Sequence, residues 1–369
     1  MILQRLFSGD MPRSKVLTVL LLGILLALLL TPFIFPGAKA LNVAAKILIF
    51  IVLVASFDLL LGYTGIVSFA HTMFFGIGAY GVAIALTHLG PTWTAVAVGA
   101  ACALVISLLL SLVIGLFSLR VKALFFAMIT LAVASAFQTL ASQLSDLTGG
   151  EDGLSFKVPA LLMDGFQKMI WDADLQQFLP HPRMIFGVEV NGKFVAFYLL
   201  AAATLVLFLV MLRLVNSPFG RVLQAIRENA FRAEALGYRV VVYRTLSTML
   251  SAAFATLAGI LLALWLRYNG PDTSLSFEIM IDILLMVVIG GMGTLYGSVI
   301  GASLFILVQN YLQDLMKAAS QGVSQVPFLK DLIHPDRWLL WLGILFVLSV
   351  YRFPAGVVGK LRMRARRTT

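Results

Sequence analysis

Long apolar runs separated by short polar clusters set the plan of this chain. A helix that crosses a bilayer needs about 20 consecutive apolar residues. Runs of that kind fall at 16–35, 43–61, 66–88, 93–117, 121–143, 194–212, 245–266, 277–293, 296–316 and 338–353. Only Ser118 to Lys122 separates the fourth from the fifth. The glycine-rich stretch from Gly290 to Gly297 separates the eighth from the ninth, so either of those is open to being partial or re-entrant. The pattern predicts an all-α fold: a polytopic transmembrane helical bundle of about ten spans, fewer if some are re-entrant, forming one integral-membrane domain over 1–369. The first run follows Arg5, Arg13 and Lys15. It is longer than the apolar core of a signal peptide, and no convincing small-residue cleavage site follows it, so it is expected to remain as the first span.

Three polar interruptions stand out. One covers 144–193 and contains TGGEDGLSF followed by a Trp/Phe/Pro-rich stretch. Another is the basic tail at 354–369. The third, 213–244, is the richest in arginine: Arg213, Arg221, Arg227, Arg232, Arg239 and Arg244 against two acids, Glu228 and Glu234. Ser217 and Pro218 form a helix-start signal and Gly237 a stop signal. Between them Val222, Leu223, Ile226, Ala230, Ala233 and Leu236 recur at helical spacing, which predicts one amphipathic helix of roughly four to five turns. A solvated basic loop that merely obeys the positive-inside rule is the alternative.

Composition strengthens the membrane assignment. The 369 residues are 60% hydrophobic and 12% charged, with mean hydropathy +0.99, whereas soluble domains carry about 25% charged residues. The net charge of +10 sits in loops between apolar runs and does not indicate nucleic acid. Lys and Arg concentrate at the N-terminus, at Arg120 and Lys122, in 213–244 and in the tail. Acids gather in 144–193, at Asp146, Glu151, Asp152, Asp164, Asp172, Asp174 and Glu189. The asymmetry predicts cytoplasmic N- and C-termini and an extracytoplasmic 144–193 loop. The one cysteine, Cys102, lies in an apolar run and supports neither a disulfide framework nor a thiolate metal site.

The motifs argue against chemistry in this chain. GVEVNGKF at Gly187–Phe194 approaches a phosphate-binding loop, but Phe194 replaces the metal-binding hydroxyl and a membrane run follows. It is a chance match, and the chain is expected to carry no ATPase site. GIGAYG at Gly76–Gly81 lies inside an apolar run and fits close helix packing better than dinucleotide binding. Glycines at 290, 291, 293, 297 and 301 have the same packing reading, and they also permit helix breaks that expose backbone polar groups. His71 is the histidine expected deep in the membrane; hydrogen bonding to a neighbouring helix is weighed above ligand or proton-relay roles. Asp58 and Asp282 fall in or near spans, and Glu278 and Asp282 share a helix face at a spacing of four. No cluster has metal-ligand spacing and no serine sits in a nucleophile elbow, so no catalytic or metal site is expected.

Four stretches, in order, carry a family resemblance: Asp58–Leu86 (DLLLGYTGIVSFAHTMFFGIGAYGVAIAL), Thr148–Phe156, Asn216–Tyr238 and Val288–Ala302 (VIGGMGTLYGSVIGA). The chain resembles the permease subunits of bacterial high-affinity branched-chain amino acid ABC importers, the longer of the two paired permeases, over roughly 40–355. The resemblance implies a bacterial inner-membrane protein. It also implies a second homologous permease sharing one translocation path, two cytoplasmic ATPases that use ATP and Mg while this chain binds no cofactor, and a periplasmic substrate-binding protein. It turns the 213–244 helix into a coupling helix, with Glu234, Ala235 and Gly237 in the docking motif and Arg221, Arg227 and Glu228 beside it. The motif spacing is shorter than the general ABC form. Gly62, Gly65, Ser68, His71, Gly290, Gly291 and Gly293 are the expected path residues. Asp58 stands where many relatives are expected to have asparagine. Importers of urea, amides or aromatic acids remain alternatives, as does an ion-coupled secondary transporter using Asp58, His71 and Asp282.

Overall fold

The computed structural model describes residues 15–35, 37–117, 123–163, 168–172, 177–181, 184–185, 188–189, 191–322, 334–352 and 356–367. Arg5, Arg13, Arg120 and Lys122 of the charge pattern lie outside them. The helices are α1 (Lys15–Ile34), α2 (Ala38–Thr64), α3 (His71–Leu89), α4 (Trp93–Phe117), α5 (Ala123–Gln143), α6 (Gly192–Asn216), α7 (Pro218–Glu228), α8 (Ala230–Ala235), α9 (Val240–Leu266), α10 (Phe277–Gly290), α11 (Leu295–Gly322), α12 (Trp338–Arg352) and α13 (Gly356–Arg367). The protein is a polytopic helical bundle. Among the described residues nine helices are long and apolar enough to cross a membrane.

The last predicted span departs from that pattern. The run at 338–353 forms α12, 15 residues long, which at 1.5 Å per residue spans only about 22 Å. The eighth span, counted over Pro271–Gly290, begins ahead of the apolar run at 277–293 and has a break near its start. A short helix, Pro271–Ser274, precedes Leu275 and Ser276, and Ser276 then caps the 14-residue α10 through Oγ to the Ile279 nitrogen at 3.4 Å. Pro271 and the serine cap are the local causes.

Helix α2 is the axis of the bundle, buried from Val43 to Leu60 at every residue but Lys46. It packs against α6, α9, α10 and α11. Burial on all sides explains why its sequence has no polar stripe. Side-chain hydroxyls tie helices together where hydrocarbon offers no other partner: Thr204 Oγ1 donates to the Leu48 carbonyl at 3.2 Å, Ser251 Oγ to the Ser56 carbonyl at 2.6 Å and Thr256 Oγ1 to Ser107 Oγ at 2.7 Å. Small residues let backbones approach. Gly78 faces the Thr256 carbonyl and Gly259 faces that of Phe75, so a Cβ at either would overlap main chain across the α3–α9 contact. Gly81 abuts Gly99 and Ala103 between α3 and α4. The GIGAYG run is therefore a packing surface, as its apolar context implied.

The 144–193 region carries the short strands. Gly149, Gly150 and Gly153 of the TGGEDG turn all have positive φ, between 65° and 76°, which glycine adopts without strain. They lead into β1 (Leu154–Ser155), antiparallel to Tyr268–Asn269 after α9. Tyr268 Oη donates to the Asp152 carbonyl at 3.0 Å, and Arg267 Nη2 to the Leu162 carbonyl at 2.8 Å. Two further antiparallel pairs, Lys168–Asp172 with Gln177–His181 and Met184–Ile185 with Val188–Glu189, complete the region. Asn191 then caps α6, its Oδ1 accepting from the Phe194 nitrogen at 3.1 Å. The near phosphate-loop sequence thus ends as the start of a membrane helix.

Candidate functional site: the junction beneath the polar helix pair

The 213–244 interruption folds as two helices where one was expected. Ser217 caps α7 through Oγ to the Gly220 nitrogen at 3.4 Å, with Pro218 at the first helical position. The helix stops at Glu228 because Asn229 is extended (φ −159°, ψ 99°). Asn229 Oδ1 accepts from the Arg232 nitrogen at 2.9 Å and starts α8. A short amide side chain that satisfies a backbone donor competes with continuing the helix. Gly237, at φ 90°, ends α8: its nitrogen donates to the Glu234 carbonyl at 2.8 Å and the Tyr238 nitrogen to that of Ala233 at 3.1 Å.

The pair is strongly two-faced. Leu223, Ile226 and Ala233 are buried with Val240, while Phe219 stacks on Tyr243 at 5.7 Å between ring centroids. Arg221, Glu228, Glu234, Ala235 and Gly237 are all on the exposed side, whereas Arg227, though partly exposed, turns its guanidinium inward. Leu236, expected on the buried face, falls just past the end of α8 and is 72% exposed, and Phe231 within α8 is 82% exposed. Phe231, between Ala230 and Arg232, was missed in the sequence because it falls off the helical spacing of Val222, Leu223, Ile226, Ala230, Ala233 and Leu236. Phe231 and Leu236 are thus two large apolar side chains exposed on a basic element.

Beneath α7 the predicted glycine stretches meet. Arg227 Nη1 donates to the Gly62 carbonyl near the end of α2. Asp58 Oδ1, one turn earlier, accepts from the Gly293 nitrogen at 2.8 Å in the turn between α10 and α11. A Cβ at residue 62 would overlap both Asp58 Oδ1 and the Gly293 nitrogen, and one at 293 would meet Arg227 Nη1 at 2.9 Å. Gly65 caps α2 at φ 73°, with the Arg227 Cγ 3.3 Å from its Cβ position. Gly291 (φ 115°) and Gly293 (φ 79°) make the α10–α11 turn, and Gly356 at the start of α13 rests on Gly291. Gly290 faces the Gly297 carbonyl, which closes the α10–α11 elbow. Asp58 is 1% exposed, and its Oδ2 has no hydrogen-bond partner among the described residues. One patch thus joins α2, α7, α10, α11 and α13.

Ser68 and His71 lie further along. From Gly65 to Ala70 the chain is non-helical, which membrane-embedded backbone tolerates only when protein or a polar path surrounds it. Thr130 Oγ1 on α5 takes the Phe69 nitrogen at 3.0 Å and buried Ser68 Oγ takes that of Ala70 at 3.3 Å. His71 opens α3. It is 2% exposed, hydrogen-bonded to Ser56 Oγ on α2 at 2.8 Å, and edge-on to Phe57. Ser56 is eight residues before the end of α2, so α3 begins about 12 Å below that end. Histidine and serine share a buried bond, and the glycine junction is a separate site.

The fold is that of a multi-pass helical membrane protein in which one polar helix pair rests on the ends of several spans. Residues 39–350 match the family model described as branched-chain amino acid transport system / permease component, and the chain belongs to that family. Among similar proteins is the high-affinity branched-chain amino acid transport system permease protein LivM of Salmonella typhimurium, 26% identical over 83% of this chain and 70% of that protein. The protein of the same name in Escherichia coli K12 gives the same figures. A probable branched-chain amino acid transport permease protein LivM of Methanocaldococcus jannaschii is 30% identical over 46% of this chain and 48% of its own length. No solved structure matches.

Proposed function

We propose that this chain is one of two paired permeases in an ATP-driven importer of branched-chain amino acids, lying in the bacterial inner membrane with both termini cytoplasmic. The observation that carries this reading is the α7–α8 pair. It is basic, presents Phe231 and Leu236 outward, and is tied through Arg227 to the ends of the spans. Two cytoplasmic ATPases bind the outer face of these helices, one on each permease. Their ATP-driven closure pushes α7, and Arg227 carries the displacement to α2 and to the Gly291–Gly293 turn. A periplasmic binding protein delivers the amino acid on the opposite side, where β1 and the TGGEDG turn lie. The non-helical segment Gly65–Ala70 offers backbone groups to a substrate that has shed water. ATP and Mg belong to the partners.

The test is co-expression of the tagged chain with its neighbouring gene products, purification in mild detergent and an ATPase assay. The expected result is recovery of a second permease and two ATPases, with hydrolysis stimulated by a liganded binding protein. Recovery of this chain by itself, with uptake driven by an ion gradient, overturns the reading.

A further inference from the structure

The opposite half of the bundle carries charges that the α7 junction does not use. Between Val43 and Leu60 every residue of α2 is buried except Lys46. Its Nζ donates to Gln309 Oε1 on α11 at 3.2 Å, and Gln309 Nε2 donates to Asp282 Oδ2 on α10 at 3.1 Å. An amide therefore stands between the ammonium and the carboxylate. Glu278, one turn from Asp282, is exposed, and Phe50 lies under Lys46 at 5.6 Å. Nearer the end of the bundle, Lys39 pairs with Asp314, again between α2 and α11. Lys39 and Lys46 are seven residues apart on one helix, about 10 Å along its axis. Charges of both signs thus descend a single seam formed by α2, α10 and α11.

Charged groups in a membrane span are costly and are retained where they pair or line a polar path. A purely structural clamp is best made by direct contact, with every hydrogen-bonding position filled. Here the two charges are spaced by Gln309, and all three side chains are only partly buried. A cation path would present acids only, and a path for urea or amides has no use for a fixed ammonium. The class of solute that answers both signs at once is a zwitterion with ammonium and carboxylate on one carbon. We infer that Lys46, Gln309 and Asp282 form a transit station for zwitterionic α-amino acids, in which Lys46 receives the carboxylate and Asp282, with Glu278 above it, receives the ammonium. The inference rests on the importer reading and assigns the substrate class to residues of this chain.

The test uses the complete complex in liposomes, with radiolabelled leucine and its binding protein as the probe, and reads leucine moved per ATP hydrolysed. Lys46→Met and Asp282→Asn are each expected to lower that ratio about tenfold or more, the scale of one lost charged hydrogen bond. Lys46→Arg retains most of it. The double variant Lys46→Met/Asp282→Leu, which removes both charges together, is expected to stay impaired. Wild-type transport by the double variant overturns the station, because a structural pair replaced by apolar side chains would show that result. Loss of the second permease from the purified double variant also overturns it, making the seam a subunit contact. Absence of ATP-dependent leucine uptake in the wild-type complex defeats the importer reading itself, and the station with it.

Discussion

Asp58 shows how much a single side chain decides. Its Oδ1 satisfies a buried backbone N–H at a turn that no helix can satisfy. Asparagine offers the same acceptor at the same reach, alanine none. Asp58→Asn is therefore expected to retain the folded complex, while Asp58→Ala strands the Gly293 nitrogen at a cost of about 1–3 kcal/mol. Thermal unfolding of the purified protein in detergent checks the order of the two. His71 supplies a second contrast. Replacing it with alanine removes the bond to Ser56 and leaves a void beside Phe57. The expected loss is about 2–4 kcal/mol, from the cavity together with the lost buried hydrogen bond, while Ser56 Oγ keeps its bond to the Leu53 carbonyl. The same melt reads it, and the substrate preference of the surviving protein should not change. Both positions were recognisable in the sequence as ionisable groups among apolar ones. Their partners were not, because Ser56 and Gly293 lie 15 and 235 residues away.

At the scale of elements, the helix pair α7–α8 divides its work between two faces. The inner face packs on the bundle through Leu223, Ile226 and Ala233, and the outer face presents Phe231 and Leu236. Replacing both exposed residues with alanine is expected to reduce stimulated ATPase activity and ATPase co-purification about tenfold or more, on the scale of a lost interface anchor. The amount of chain in the membrane should stay the same, since neither residue is buried. Pull-down against the co-expressed ATPases measures the first effect and a membrane blot the second. Gly237→Pro acts differently. Proline cannot adopt φ 90° and removes the N–H that reaches Glu234, so the end of α8 is deformed and uptake should fail. The division into two helices was only half legible. Ser217, Pro218 and Gly237 announce the ends, but the stop at Asn229 looks like an ordinary interior polar residue until its Oδ1 is seen on the Arg232 nitrogen.

For the whole molecule, sidedness is the quantity to measure. In a Cys102→Ser background, Leu236→Cys should react with an impermeant maleimide only after the cells are opened, and Ser145→Cys should react from outside. Reaction of both from one side contradicts the proposed orientation. The sequence by itself determined that the protein lives in a bilayer, most of the segments long enough to cross it, the family it belongs to and the two-sided charge pattern. The bilayer and the charge pattern follow from composition, period and length, which are local quantities read along the chain, and the family follows from the resemblance of four motif stretches. It also marked the glycines of the junction, because their density is unusual wherever they fold. Only the tertiary structure decided that Gly62 and Gly293 share one contact, that Arg227 reaches them from α7, and that the run at 338–353 makes a short helix. It likewise joined Lys46 to Asp282 through Gln309, residues that stand far apart along the chain. Apolar spans look alike to any pattern of hydrophobicity, since lipid and neighbouring helices are equally apolar. Which helices meet is set by where small residues let backbones approach and where a buried polar group must find its partner.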